Sequence, residues 1–357
     1  MTALERFRKE LEKTDAQGAI ISSQLNIRYL CGFDYTDGYL LIFHDSAYLL
    51  ADFRYIEAAR AEVSEFDIIM PEGTMLSEIK SLIKKHGADV VAIEDGSVTL
   101  SDFSKMREQL EGITLSTGAT EILCELRTVK TENELDMIAK AQAVTDAAFE
   151  HILGFITPEC TELEVALELE FFMRSHGAEG LAFDTIAVSG ASSSLPHGVP
   201  ASKRLSCGFL TMDFGAKVDG YCSDMTRTVV IGKADKDMKN VYYTVLSAQQ
   251  AALEAICEGI GCREADKIAR DIIAKAGFDK CFGHSLGHGV GMYIHESPSL
   301  SPRAKENVVL RRGNVVTVEP GIYIEGKYGC RIEDMIAVGH DGGIINFTKS
   351  TKELIEI

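Results

Sequence analysis

Along the first third of the chain, short apolar runs alternate with stretches whose apolar residues recur every three or four positions. Ala19-Ile20-Ile21, Tyr39 to Phe43, Tyr48-Leu49-Leu50, Asp67-Ile68-Ile69 and Val90 to Ile93 are brief runs rich in branched and aromatic side chains, and they predict strands. Met75 to Lys85 and Asp102 to Leu110 carry the helical period instead. Strands alternating with helices predict an α/β layer with a partly parallel sheet.

Near Arg127 the pattern changes. Thr131-Glu132-Asn133-Glu134 has the form of a capping box, in which a hydroxyl and a glutamate three residues on satisfy each other's free N–H groups. Leu135, Ile138, Ala141, Ala148, Phe149 and Ile152 then fall along one helix face. Thr161 and Glu164 repeat the device before Val165, Leu169, Phe172 and Met173. Asp237 to Cys257 and Arg263 to Ala276 predict two more helices, the second stopped by Gly277. Phe183 to Val188, Phe209 to Phe214, Met225 to Ile231, Asn314 to Glu319 and Arg331 to Val338 predict strands. The expectation is an α/β domain over residues 1–127 and an α+β domain over 128–357, with helices packed on an antiparallel sheet.

Within the stretch MDFGAKVDGYCSDMTRT, Asp213 and Asp224 lie among residues suited to burial. A hairpin centred between Val218 and Asp219 puts these two aspartates opposite each other. Bare carboxylates that close repel, so one must hold a proton unless a divalent cation lies between them. GHSLGHGVGMYIHESP adds histidines among glycines, and Glu319 and Glu333 stand beside apolar, strand-like residues. Singly these are ordinary: a buried glutamate usually pairs with an arginine, and Arg331 is close in sequence to Glu333. Together, four carboxylates and one imidazole in one domain make an oxygen-rich set suited to two divalent ions with shared ligands. No Cys/His quartet with zinc-finger spacing is present.

Charge and cysteine usage narrow the partners. Lys plus Arg number 36 against 54 Asp plus Glu, a formal net charge of -18 over 357 residues. Such a surface repels nucleic acid and anionic membrane and keeps the chain soluble. Nine cysteines without a CxxC pair, and a charged start, MTALERFRKELEK, with no apolar export core, predict free thiols in the cytoplasm. No apolar run approaches the ~20 residues that span a bilayer.

Five blocks, SGASSSLPHGVP, MDFGAKVDGYCSDMTRT, GHGVG with IHESP, TVEPGIY and RIED, follow a Leu126-Arg127-x-x-Lys130 junction. In this order they resemble the creatinase/methionine-aminopeptidase superfamily, the "pita-bread" metallopeptidases, and most closely the branch of aminopeptidase P and prolidase. The resemblance implies a creatinase-type N-terminal domain and a catalytic domain with a curved antiparallel sheet and outer helices. It implies two divalent metal ions per subunit, Mn2+ first and Co2+, Zn2+ or Fe2+ as alternatives. Asp213 would hold one ion, His288 and Glu319 the other, and Asp224 and Glu333 would bridge them.

The same resemblance implies hydrolysis of the bond between an N-terminal residue and a following proline, by a hydroxide shared between ions ~3.5–4 Å apart. Glu319 would also shuttle the proton to the leaving nitrogen. His197 and His295 would flank the scissile carbonyl and the proline ring, and His284 would line the same cleft. Arg331 would orient Glu333 or an adjacent carboxylate, with Thr226 and Thr317 as further partners of ligating carboxylates. A homodimer acting on peptides, without nucleic acid or membrane, is the expected assembly. Creatinase, which uses no metal, and relatives that have lost their ligands are disfavoured by the intact set. Methionine aminopeptidase is disfavoured by the extra N-terminal domain. Some prolidases place an arginine four residues beyond the histidine of the HExP segment, where this chain has Ser299. That departure tilts the expectation toward an aminopeptidase P-like enzyme, with Xaa-Pro dipeptidase as the alternative.

Overall fold

The computed structural model describes residues 1–357. Two compact units divide the chain, Met1–Arg127 and Thr128–Ile357. In the first, six strands form one sheet in the order Asp67–Ile69, Ala47–Leu50, Tyr39–Phe43, Gly18–Ile21, Val90–Ile93, Thr114–Ser116. The 18–21 strand runs antiparallel to 39–43 and parallel to 90–93, so the sheet is mixed. Helices Met75–Lys85 and Leu100–Gln109 cover it with Ile79, Leu82, Ile83 and Met106. The edge strand Thr114–Ser116 escapes sequence reading, because its three residues are exposed or half-buried and carry no apolar run.

In the second unit both capping boxes form. Thr131 opens the helix Glu132–Phe155 and Thr161 the helix Glu162–Ser175, each exchanging bonds with the glutamate three residues on. Strands Gly208–Phe214 and Met225–Ile231 make a seven-residue antiparallel ladder. Beyond it, Ala216–Val218 pairs with Tyr221–Cys222 around Asp219 and Gly220, whose φ values of 50° and 88° are those of a type I′ turn. The turn is therefore centred one residue later than the sequence implied. Asp213 pairs with Thr226 and not with Asp224, since moving the centre by one residue moves every pairing by two. Asp224 stays on the face of Asp213, two residues along the neighbouring strand.

Alternation along this ladder serves two cores. Leu210, Met212, Phe214, Met225, Val229 and Ile231 pack against Phe149, Ile152, Val165 and Leu169. Phe209 and Val230, on the other face, pack with Val241, Val245, Ala265 and Ala269 from the helices Lys236–Ala255 and Cys262–Lys275. Val315–Val318 pairs with Asp334–Val338, and all strand ladders of this unit are antiparallel.

Two strand assignments from the sequence are corrected. Phe183 to Val188 is extended only from Ile186 to Ser189. The run Arg331 to Val338 is two strands, Tyr328–Arg331 and Asp334–Val338, belonging to different sheets. At the break, the Glu333 N–H donates to the Thr226 carbonyl at 3.1 Å as the chain passes from one sheet to the other. The architecture is thus an α/β domain followed by an α+β "pita-bread" domain.

Core and cap make different demands on stability. Phe214→Ala removes a fully buried ring from beneath the ladder and is expected to cost about 3–5 kcal/mol. Thr161→Ala removes only a helix cap and is expected to cost about 1 kcal/mol. Urea titration of both variants checks the difference, and equal losses would contradict the packing described.

Candidate active site

The two ladders deliver acidic groups at their ends. Asp213 is the penultimate residue of its strand, and Asp224 immediately precedes the strand Met225–Ile231. The register Val318↔Asp334, continued by one step, sets Glu319 opposite Glu333. Carboxylate oxygens of Asp213, Asp224 and Glu333 lie within 4.8 Å of one another. Glu333 is 1% exposed and Asp224 5%.

His288 completes the group from the strand Gly287–Gly289. Its backbone N–H donates to Thr317 Oγ1 at 3.1 Å, and a Cβ on the preceding Gly287 would meet the Thr317 carbonyl at 1.9 Å. Glycine is what lets this strand lie so close to its neighbour. His288 Nδ1–H donates to the Gly289 carbonyl at 3.1 Å. The Nε2 lone pair therefore faces the carboxylates, 3.5 Å from both Asp224 Oδ2 and Glu319 Oε1.

Three acids are held out of their normal range. Burial raises Asp224 well above an ordinary aspartate, with the charges of Asp213 and Glu319 adding to it. Burial first, then Asp224, Glu319 and Asp213, raises Glu333 well above its usual value. Glu319 is pushed up to about 8, chiefly by burial and against the pull of Arg331. Asp213 Oδ1 and Glu333 Oε1 are buried and have no hydrogen-bond partner. Buried oxygens without donors are costly. Orphaned oxygens beside an imidazole whose free lone pair faces the carboxylates are a donor set that fits divalent cations.

Three other oxygens of the set are held from behind. Thr226 Oγ1 donates to Glu333 Oε2 at 2.7 Å, and Thr317 Oγ1 to Glu319 Oε1 at 3.2 Å. Arg331 does not reach the Glu333 carboxylate: its Nη2 donates to Asp213 Oδ2 at 2.6 Å, its Nε to Thr226 Oγ1 at 2.9 Å and its Nη1 to Tyr323 Oη at 2.6 Å. The oxygen bonded to Arg331 retains a second lone pair.

His284 stands in that same network. Its Nδ1–H donates to the Ser285 carbonyl at 2.8 Å, so its Nε2 accepts from the Tyr323 hydroxyl at 3.0 Å. Burial, helped by Arg331, lowers its pKa to about 4 and keeps it neutral. Both ring nitrogens are committed, which makes His284 a support for Tyr323 and Arg331. Sequence reading missed Tyr323, since a tyrosine on a strand signals only β-propensity. It also missed Asp266 and Arg270, which look like an ordinary surface pair on a helix. Asp266 accepts the Leu286 N–H at 3.0 Å, and Arg270 donates to the carbonyls of Phe282 and His284.

His197, Asp213, Asp224, His284, His288, His295, Glu319, Arg331 and Glu333 all line one cavity of about 800 Å³. Phe183, Ile186 and Ile294 give it an apolar wall. The His295 ring lies 4.4 Å from that of His288, at 61°. A second cavity, about 820 Å³ along the helix Glu132–Phe155, contains no histidine. The chemistry is gathered in the first.

A buried set of carboxylates beside imidazoles in an apolar-walled cleft is the arrangement of a metal-dependent hydrolase. The model of metallopeptidase family M24 matches residues 136–340, and that of the creatinase/prolidase N-terminal domain residues 4–129. The chain belongs to this family and is a metallopeptidase. The Xaa-Pro dipeptidase of Pyrococcus horikoshii is 37% identical over 97% of this chain and 96% of its own length. The solved Xaa-Pro dipeptidase from Bacillus anthracis superposes with a TM-score of 0.94 at 40% identity, covering 99% of each chain. The X-Pro aminopeptidase from Thermotoga maritima gives 0.91 at 32% identity, over 98% of this chain and 100% of that one.

The raised acids set the sign of the pH dependence. A carboxyl whose pKa is higher in the folded state contributes stability that is complete below its unfolded pKa, ~4, and is lost as pH rises through the folded value. For Glu319 that window runs up to about 8, with Asp224 and Glu333 acting in the same direction. Thermal midpoints in EDTA are expected to fall between pH 5.5 and 8, and added Mn(II) is expected to raise the midpoint most at pH 8. A midpoint that climbs over this range without metal would contradict the repulsion.

Proposed function

We propose that this metallopeptidase hydrolyses the peptide bond preceding proline in Xaa-Pro substrates, with two divalent ions held by Asp213, Asp224, His288, Glu319 and Glu333. The observation that carries the reading is the convergence of the Asp213, Asp224 and Glu333 carboxylates, two of whose buried oxygens have no hydrogen-bond partner, beside His288, whose free lone pair faces Asp224 and Glu319. Asp224 and Glu333, the most buried of these four acids, would be shared between the two ions. The carboxylate excess favours Mn(II), with Co(II), Zn(II) and Fe(II) as chemically similar alternatives. Such a pair of ions, when bound, supplies a water acidified enough to attack a carbonyl near neutral pH.

The protein's own residues do the rest. Glu319 accepts the water's proton and returns it to the proline nitrogen, which leaves only as an amine. His295 and His197 donate hydrogen bonds to the carbonyl oxygen as it gains negative charge. Burial, with His288 and His197 beside it, lowers the pKa of His295. Tyr323 and His284 hold Arg331 against Asp213, which fixes that carboxylate. The apolar wall of Phe183, Ile186 and Ile294 suits the proline ring and the side chain before it.

Dipeptides are the substrates that the relatives' names favour. One observation favours longer Xaa-Pro peptides. Arg331, the cation in the lining, is already bonded to Asp213, Thr226 and Tyr323, and Ser299 offers no charge to a dipeptide's carboxylate. Nine free cysteines suit a cytoplasmic enzyme, and a homodimer is the assembly that goes with this reading.

With Mn(II) supplied, Xaa-Pro dipeptides and Xaa-Pro-Yaa peptides are expected to release their first residue, and their kcat/KM values rank the two lengths. Turnover confined to Met-Ala peptides would overturn the reading. Asp224→Ala and Glu333→Ala are each expected to lose more than about 100-fold in kcat, beyond what groups standing behind the ligands typically cost. Full activity in either folded variant would contradict its place as a bridge.

A further inference from the structure

Glu296 follows His295 in IHESP, and Lys130 closes the Leu126-Arg127-x-x-Lys130 motif. Neither has a part in the chemistry above. The two meet in the interior: Lys130 Nζ lies 3.2 Å from Glu296 Oε2, with side chains 1% and 4% exposed. Lys130 is itself fixed, its N–H donating to the Gly313 carbonyl at 2.8 Å and its carbonyl accepting from His340 Nε2 at 3.0 Å.

Glu296 faces the other way as well. Its Oε1 accepts the Tyr293 N–H at 3.1 Å, closing the turn that leads from His288 to His295. Gly291 N–H donates to the Tyr293 carbonyl at 3.1 Å, and the Gly291 carbonyl accepts from the Cys222 N–H at 2.8 Å. A Cβ on Gly291 would lie 2.4 Å from Glu296 Oε2 and 3.1 Å from Lys130 Cε. The backbone of the turn thus rests directly on the ion pair.

Buried ion pairs are poor sources of net stability, because desolvation offsets most of their attraction. What this pair does supply is position. We infer that Lys130 and Glu296 are positioning residues that fix the turn 291–295 and so hold His295 beside His288. The inference rests on the role proposed above for His295.

A double-mutant cycle tests it. Glu296→Gln keeps an acceptor for Tyr293 and removes the charge facing Lys130. It is expected to lower kcat about 10–100-fold, as groups that orient active-site residues do, with KM little changed. In a His295→Ala background the same substitution is expected to have no further effect. Lys130→Arg, which keeps the cation, is expected to recover most of the activity that Lys130→Met loses. Should Glu296→Gln fail to fold, the paired apolar variant Lys130→Met/Glu296→Leu takes its place in the cycle.

A second readout needs no substrate. In metal-free protein labelled at histidine, the cross-relaxation between the His288 and His295 ring protons is expected to weaken in Glu296→Gln while the thermal midpoint holds. If the wild type turns over no Xaa-Pro peptide, the proposed function fails and this ring contact alone decides the inference. Additive losses in the cycle, or an unchanged ring contact in the folded variant, would overturn it.

Discussion

Carboxylates repel one another, and taking them out of water multiplies the penalty. In this enzyme Asp213, Asp224, Glu319 and Glu333 are nonetheless brought together at the ends of two antiparallel ladders, in a cleft where burial already disfavours the charge of Asp224, Glu319 and Glu333. Hydrogen bonds from Thr226, Thr317 and Arg331 satisfy part of the set, and two fully buried oxygens, Asp213 Oδ1 and Glu333 Oε1, have no donor. The fold tolerates this arrangement because the flanking strands are anchored in large apolar cores on both faces. In the function proposed, positive charge from outside the chain balances it.

Geometry follows from that constraint. Strand ends suit this cluster of acids, since the chain there turns out of the ladder and leaves room between sheets. The break between Arg331 and Asp334 is the clearest case. Had the chain run straight through Glu333, its backbone would have continued one ladder, and the carboxylate would not sit where two sheets meet. Arg331 and Tyr323, on the two strands of a small hairpin, then reach back to hold Asp213 from a direction the ladders do not supply.

Much of this was legible in the chain. The capping boxes at Thr131 and Thr161, the long strands and the five blocks that carry the acids all declare themselves through local chemistry. Register did not. An Asp-Gly pair with both residues in left-handed conformation centres the turn one position beyond the sequence estimate, so Asp213 faces Thr226. The strand break at Ile332-Glu333 was equally hidden, because a β-rich run reads the same whether it serves one sheet or two. Tyr323, Asp266 and Arg270 were invisible for another reason. Their roles depend on partners distant in sequence, and each alone has an ordinary structural explanation.

The central claim is that these acids share a pair of cations and do not merely sit near one. Electron paramagnetic resonance of the protein fully loaded with Mn(II) tests it most directly. Ions bridged by common carboxylates exchange-couple, so a broad multiline spectrum of a coupled pair is the expected result. A spectrum showing only the hyperfine pattern of isolated ions at saturation would contradict the account.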